Sequence, residues 1–389
     1  MSSNELTIKN AAIVTEKEVI ENGTVLVKDG KIARILKNGE YPEAQGNVID
    51  AGGSWLLPGF IDMHIHGGYG ADFMDADEQA YDTITRFHAS QGTTGLLATT
   101  MTASKEAIED VLAAVDAYQR KGMKYTQLLG VHLEGPFISP KWPGAQNPAF
   151  IVNPQLEWMK EWTNHYPGLI RMLTLAPERE HALEVIEFVR SQGIVAAAGH
   201  TDADYDAVVE AVKHGLNHAV HTFNAMTGLH HRKPGTVGAV MTEEAIVAEL
   251  ISDGIHVHKA CGKLLVKAKD QDNFIMVTDA MSAAGLGDGM YQLGGQDVVV
   301  RDGVARLKDG DSLAGSTLTT IGGFRFLVRE IGVSVPQASR FASTTPAKHM
   351  GLDDRIGSIA EGKDADMLLV SQNGLELQQV WIKGNQLPA

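Results

Sequence analysis

Two kinds of hydrophobic pattern divide the chain. From residue 1 to about residue 56, short runs such as LTIKNAAIV, GTVLVKDG and KIARIL alternate apolar and polar side chains and are punctuated by Asn-Gly and Asp-Gly. That pattern predicts half-exposed strands joined as hairpins. From residue 57 the apolar residues come in continuous blocks, separated by stretches with apolar positions three and four apart. Parallel strands covered by crossover helices read in this way. Eight such blocks occur: FIDMHIH, TGLLATT, QLLGVHLEG, LIRMLTLAPE, GIVAAAGHT, HAVHTFNAM, AIVAELISDG and NFIMVTDAM. Eight strands are what a closed (β/α)₈ barrel needs.

KEAIEDVLAAVDAYQRKG and ADYDAVVEAVKHG are the clearest helices between the blocks. After the eighth block, MYQLGGQDVVVRDGVARLKDG predicts a β-hairpin insertion, and helical segments run on to about Leu352. The tail GSIAEGKDADMLLVSQNGLELQQVWIKGNQ returns to short strands. Neither end carries enough apolar surface to stand alone. The expected architecture is therefore an α/β TIM barrel over residues 57–352, inserted in a small, discontinuous β-sandwich domain built from residues 1–56 and 353–389.

Five of the eight blocks stay apolar until their C-terminal end and then present a metal-ligand residue: His64 and His66, Glu134, His200, His221 and Asp279. In a closed barrel those ends converge on one mouth. His64 and His66, two residues apart on a strand, share a face. One strand histidine alone is more often a hydrogen-bonded structural group. Their joint placement, with two carboxylates in apolar runs whose burial is costly unless a cation compensates, points to a metal site. Imidazole and carboxylate without thiolate suit zinc or iron, with manganese or cobalt as further options. Such an ion lowers the pKa of water from about 15.7 to near 7, and a neighbouring carboxylate can shuttle the proton. Asp279 is the candidate for that step. His132, two residues before Glu134 and on the same strand face, reads equally well as a packing residue or a support for the ligands.

Composition narrows the partners. A formal charge of -15 over 389 residues gives no general attraction for nucleic acid or an anionic membrane. An anionic ligand must instead meet a local basic cluster; the run His230, His231, Arg232 and Lys233 could be one, although from the residues alone it reads better as a solvated loop. The single cysteine, Cys261, excludes an internal disulfide framework and reads as a helix-packing residue in a reducing, cytoplasmic setting. The segment MSSNELTIKN lacks a basic stretch followed by an apolar run, and no apolar stretch approaches the length of a spanning helix.

The motif PGFIDMHIHGG resembles the first barrel strand of the amidohydrolase superfamily, and GSIAEGKDADMLLV resembles its C-terminal return into the small domain. Four narrower motifs, HLEGPFISP, AGHTDA, HTFNAM and VTDAM, occur in this order. Together with HHRKPG, SDGIHV and LAGS they are similar to the deacetylases acting on N-acetylglucosamine 6-phosphate, along essentially the whole chain. The resemblance implies that Glu134, His200 and His221 are the main metal ligands and that Asp279 is general base and then acid. The His64–His66 pair implies room for a second ion bridged by Glu134, hence one or two divalent ions per subunit. It further implies that Asn224, Ala225 and His256 contact the sugar phosphate, that Ala145 and Gln146 touch the sugar, and that Leu313, Ala314 and Gly315 close over it. Arg232 matches a family arginine that reaches the phosphate held by a neighbouring subunit, which implies a homodimer. The implied reaction releases acetate and D-glucosamine 6-phosphate. Its rivals are another N-acyl or cyclic-amide hydrolase of the superfamily and a barrel that has become a non-catalytic scaffold.

Overall fold

The computed structural model of the chain describes residues 5–37, 40 and 46–387, so the first four residues of the N-terminal segment and the Asn38-Gly39 pair lie outside the described residues. The eight apolar blocks form one parallel sheet. Its strands, in chain order, are β1 (Phe60–Asp62), β2 (Thr93–Thr100), β3 (Gln127–Glu134), β4 (Ile170–Leu175), β5 (Val195–Ala198), β6 (His218–Ala219), β7 (Val247–Ile251) and β8 (Phe274–Val277). Each pairs with its neighbours in sequence. The cylinder closes beyond the strand ends of β8 and β1, where Ile65 bridges Ala280 in parallel register, the Asp279 amide donates to the His64 carbonyl (2.9 Å) and the His66 amide donates to the Ala280 carbonyl (2.8 Å).

Strand alternation sorts the barrel side chains. Ile61, Met63, Leu97, Leu129, Met172, Val195, Ala197, Val247, Ile275 and Val277 form an apolar cluster with Ala347, Met350 and Ile356, which plugs the interior. The opposite faces of the strands pack against the helices in the main core, where the amphipathic helix Lys105–Lys121 buries Ile108, Val111, Leu112, Val115 and Tyr118. That helix begins where the Ser104 side chain accepts from the Ala107 amide. Residues Tyr205–Lys213 form the other helix the periodicity predicts, capped in the same way by Asp204.

The two chain ends share an eight-stranded sheet separate from the barrel. Within it, Met367–Val370 runs antiparallel to Trp55–Pro58, and Glu5–Val14 forks, its first half pairing with Asn47–Asp50 and its second half with Trp55–Pro58. Ile8, Ile13, Val25, Leu56, Met367 and Trp381 build its own apolar core. The punctuation differs in one place from the hairpin expectation. Asp29-Gly30 is the turn between Val19–Lys28 and Lys31–Leu36, but Asn22-Gly23 lies inside a strand as an irregularity of register, with Asn22 in the left-handed region (φ 48°).

The insertion after β8 is larger than a hairpin. Gly289–Leu293, Gln296–Arg301 and Val304–Leu307 make a three-stranded antiparallel sheet, because both Gly294-Gly295 and Asp302-Gly303 turn the chain. Cys261 is exposed on the helix Lys259–Ala268 rather than on its packed face, where the buried positions are Gly262 and Leu265. Among the described residues no helix is long and apolar enough to cross a membrane.

Candidate metal centre and its cleft

The six residues singled out at the strand ends come together. Glu134 is the last residue of β3, whereas His200, His221 and Asp279 lie just past β5, β6 and β8. All three are in the left-handed backbone region, at φ 47°, 29° and 51°. A non-glycine residue held there costs on the order of 1–2 kcal/mol, so the surrounding structure must impose it. The turn out of each strand redirects these side chains from the barrel wall to its axis. His64 and His66 likewise follow β1 and flank the Ile65–Ala280 bridge.

Glu134 is the hub. Its Oε1 lies 3.1 Å from His64 Nε2, 3.2 Å from His200 Nε2 and 3.2 Å from His221 Nε2, and its Oε2 lies 3.2 Å from His66 Nε2. Asp279 Oδ1 is 3.2 Å from His66 Nε2 and 3.7 Å from His64 Nε2. The far side of two rings decides what faces the hub. His200 Nδ1 sits 2.9 Å from the Trp142 carbonyl oxygen, which only accepts, so the ring proton is on Nδ1 and Nε2 carries a lone pair. His64 Nδ1 sits 2.9 Å from Glu249 Oε2, so Nδ1 keeps a proton and Nε2 is the nitrogen that presents a lone pair once the ring is neutral. His64 Nε2 is buried without a hydrogen-bond partner, and the Nε2 atoms of His200 and His221 face each other at 3.1 Å. Lone pairs and carboxylate oxygens aimed at one another repel unless a cation or protons lie between them. The donor set therefore fits a divalent ion: ligand atoms lie mutually within 4.8 Å in His64, His66 and Asp279 and in His64, Glu134 and His221, and within 3.2 Å in Glu134, His200 and His221.

Protons and cations compete for this cluster. Burial pushes His66 down, but hydrogen bonds to Asp279 and Glu134 outweigh it and raise the ring to about 9. Burial also works against a charged His64, yet Glu134, Glu249 and Asp279 together hold its pKa well above the ordinary imidazole value. Burial alone would raise Glu134, but the rings of His64, His200 and His221 keep it well below the usual carboxylate range. Asp279 is lowered for the same kind of reason, His64 and His66 overriding its burial.

Glu249 on β7 completes the centre and was not singled out from sequence. It is fully buried. Alternation puts it on the interior face with Val247 and Ile251. The signal was present, since a lone carboxylate interrupts an apolar block there as Glu134 does in β3. His132 also faces inward, its Nε2 2.7 Å from Thr174 Oγ1, and it packs edge-on to the His64 ring. Burial, together with the nearby His64, holds it well below the ordinary value, so it is a neutral packing partner.

Above the centre lies an open cleft of about 390 Å³ that His66, Glu134, His200, His221 and Asp279 help to line. Of the residues expected to touch the sugar phosphate, Ala145, Gln146, Asn224, Ala225, His256, Leu313 and Gly315 line the same cleft. His256 Nδ1 is held by Asp253 Oδ2 at 2.7 Å, which leaves Nε2 to face a ligand. Gln146 is committed at both ends: its Oε1 accepts from the Thr102 amide (2.6 Å) and its Nε2 donates to Glu134 Oε2 (2.6 Å). It therefore holds the hub carboxylate as well as forming wall. Ala314 is buried in an apolar cluster with its amide bonded to the Ala305 carbonyl, and it is not a wall residue. Arg232 is exposed, bonded to His231 Nε2 at 2.7 Å, and is not part of its own chain's cleft. Lys141, Trp142 and Leu293 are wall residues that sequence reasoning missed.

Comparison with known proteins agrees with this architecture. Residues 55–387 match the model of the amidohydrolase family, and residues 5–42 match the BsNagA composite domain. An N-acetylglucosamine-6-phosphate deacetylase of Bacillus subtilis (strain 168) is 42% identical over 374 residues, spanning 95% of this chain and 94% of the relative. An N-acetylgalactosamine-6-phosphate deacetylase of Escherichia coli O157:H7 is 35% identical, with 96% of each chain covered. The solved structure of an N-acetyl-D-glucosamine-6-phosphate deacetylase mutant from Mycobacterium smegmatis, in complex with N-acetyl-D-glucosamine-6-phosphate, superposes with a TM-score of 0.92 at 31% identity and 99% coverage of both chains. The chain belongs to the amidohydrolase family, alongside the N-acetylglucosamine-6-phosphate deacetylases.

Proposed function

We propose that the protein hydrolyses the acetamide of N-acetyl-D-glucosamine 6-phosphate to acetate and D-glucosamine 6-phosphate, in amino-sugar catabolism. The observation that carries this reading is the set of imidazole nitrogens turned onto Glu134, beside a buried and ionised Asp279, at the floor of a cleft whose walls match the sugar-contact motifs. Glu134, His200 and His221 would hold one divalent ion, and His64, His66 and Asp279 a second that shares Glu134, with zinc or iron the best match to the donors. When bound, such an ion supplies Lewis acidity to the acetyl carbonyl and acidifies water.

The chain's own groups do the rest. Asp279 takes the proton of the water that adds to the acetyl carbon, and it returns that proton to the amine nitrogen as the carbon–nitrogen bond breaks. Its low pKa keeps it ready as the base. His256, fixed by Asp253, and Asn224 orient the sugar, and Arg232 reaches the phosphate held by the second subunit of a homodimer. The acidic surface and lone cysteine suit a cytoplasmic enzyme without nucleic-acid or membrane partners.

Acetate release by the metal-stripped protein, titrated in turn with zinc, iron, manganese and cobalt, tests the reaction, with N-acetylgalactosamine 6-phosphate and unphosphorylated N-acetylglucosamine as comparators. Asp279→Asn should lower kcat by about 10²–10⁴ while the ion on Glu134, His200 and His221 is retained. Turnover near normal in that variant rules out the role of Asp279.

A further inference from the structure

Glu249 touches two of the proposed ligands while lying outside the cleft. Oε2 accepts from His64 Nδ1 (2.9 Å) and from the His221 backbone amide (3.1 Å). Oε1 faces His218 Nε2 at 2.8 Å, and His218 Nδ1 in turn faces His349 Nε2 at 3.0 Å, the two rings stacked 4.9 Å apart. A carboxylate accepts on both oxygens, so His64 carries a proton on Nδ1 and His218 carries one on Nε2. Among the proposed ligand rings, His64 and His200 have Nδ1 on an acceptor, and of these two His64 depends on a side chain. His200 uses the Trp142 carbonyl, and His221 Nδ1 is buried with no partner.

We propose that Glu249, braced from behind by His218 and His349, is a positioning residue that turns the His64 Nε2 lone pair toward the ion site formed with His66 and Asp279, and thereby sets whether that site fills. This rests on the reading of His64 as a metal ligand. Carboxylates that hold the far nitrogen of a ligating imidazole typically carry a 10–100-fold share of metal affinity. The effect is directional. An ion on Glu134, His200 and His221 draws its fixed ring from Trp142, so a change at Glu249 should weaken the His64 site far more.

The test is ion stoichiometry and affinity, measured by chelator competition with zinc on the full-length protein for wild type, Glu249→Gln, Glu249→Leu and His64→Ala. Glutamine keeps an oxygen for His64 but loses the charge and must turn its amide group toward His218. The expected result is an affinity for the His64–His66–Asp279 ion about tenfold or more below wild type in E249Q, the other ion within about threefold, and that ion lost from E249L. An unchanged pair of affinities in E249Q overturns the proposal, and E249Q decides it if E249L fails to fold. His64→Ala separates the underlying reading. If H64A loses one ion and E249Q loses no affinity, Glu249 has no positioning role although His64 is a ligand; if H64A keeps both ions, His64 is not a ligand and the proposal falls with it.

Discussion

The proton load of the centre predicts how its metal affinity must change with pH. His66 has its pKa raised to about 9 by Asp279 and Glu134, so at pH 7 it is about 99% protonated when no cation is bound. A ligating imidazole must be neutral, so each ion seated on His66 displaces about one proton. The apparent affinity at pH 7 is then about a hundredfold below its limiting value and rises about tenfold per pH unit up to 9. His64, also raised, steepens the slope if its proton leaves as well. Chelator competition at steps between pH 6.5 and 8.5 gives the slope, and calorimetry in two buffers of different ionisation enthalpy counts the protons. Stability follows the same proton. Because the folded value lies above the ordinary 6.5, the stabilisation of the metal-stripped protein is complete below pH 6.5 and is lost as the pH rises through 9, about 3 kcal/mol for a shift of this size. An affinity that stays flat from pH 6.5 to 8.5, with no protons released, would refute the account of the charge balance at this site.

Three other outcomes follow from the geometry. Gly135, beside Glu134, has φ 82°, and a Cβ there would stand 2.1 Å from Thr102 Oγ1; Gly135→Ala should cost more than the roughly 1–2 kcal/mol of left-handed backbone and reduce zinc content, whereas wild-type content and melting would contradict the fit. Phe60→Ala removes a fully buried ring packed 5.2 Å from Phe324, and chemical denaturation should show a loss of about 3–5 kcal/mol. Arg232→Ala should raise KM for the 6-phosphate substrate about tenfold or more, as loss of a charge-assisted contact does, and leave the unphosphorylated sugar unaffected; equal effects on both would remove Arg232 from phosphate recognition.

Much of the barrel was legible because parallel strands are apolar on both faces, so a polar residue in one stands out. Glu134 and Asp279 were found in this way, and Glu249 satisfied the same test without being picked. The histidines were legible only as a set. What the period of the blocks did not reveal is that His200, His221 and Asp279 leave the strand geometry altogether, since His and Asp are enriched at positive φ but adopt ordinary backbone far more often. The double commitment of Gln146 was equally hidden, because it links residues 44 and 12 positions apart across loops. In the terminal sheet, Asn22-Gly23 resembled a turn because Asn and Gly favour the same left-handed backbone in a bulge as in a turn.

The place where the cylinder closes has a wider consequence. Seven of its eight joints are ladders between named strands, but the last is a short suture made by residues 64–66 and 279–280, the stretches that carry His64, His66 and Asp279. On the proposed reading, mechanical integrity and reactivity share one small piece of backbone. An ion gripped from both sides of that suture would act as a rivet for the whole drum, and any change that slackens the closure also pulls His64 and His66 away from Asp279.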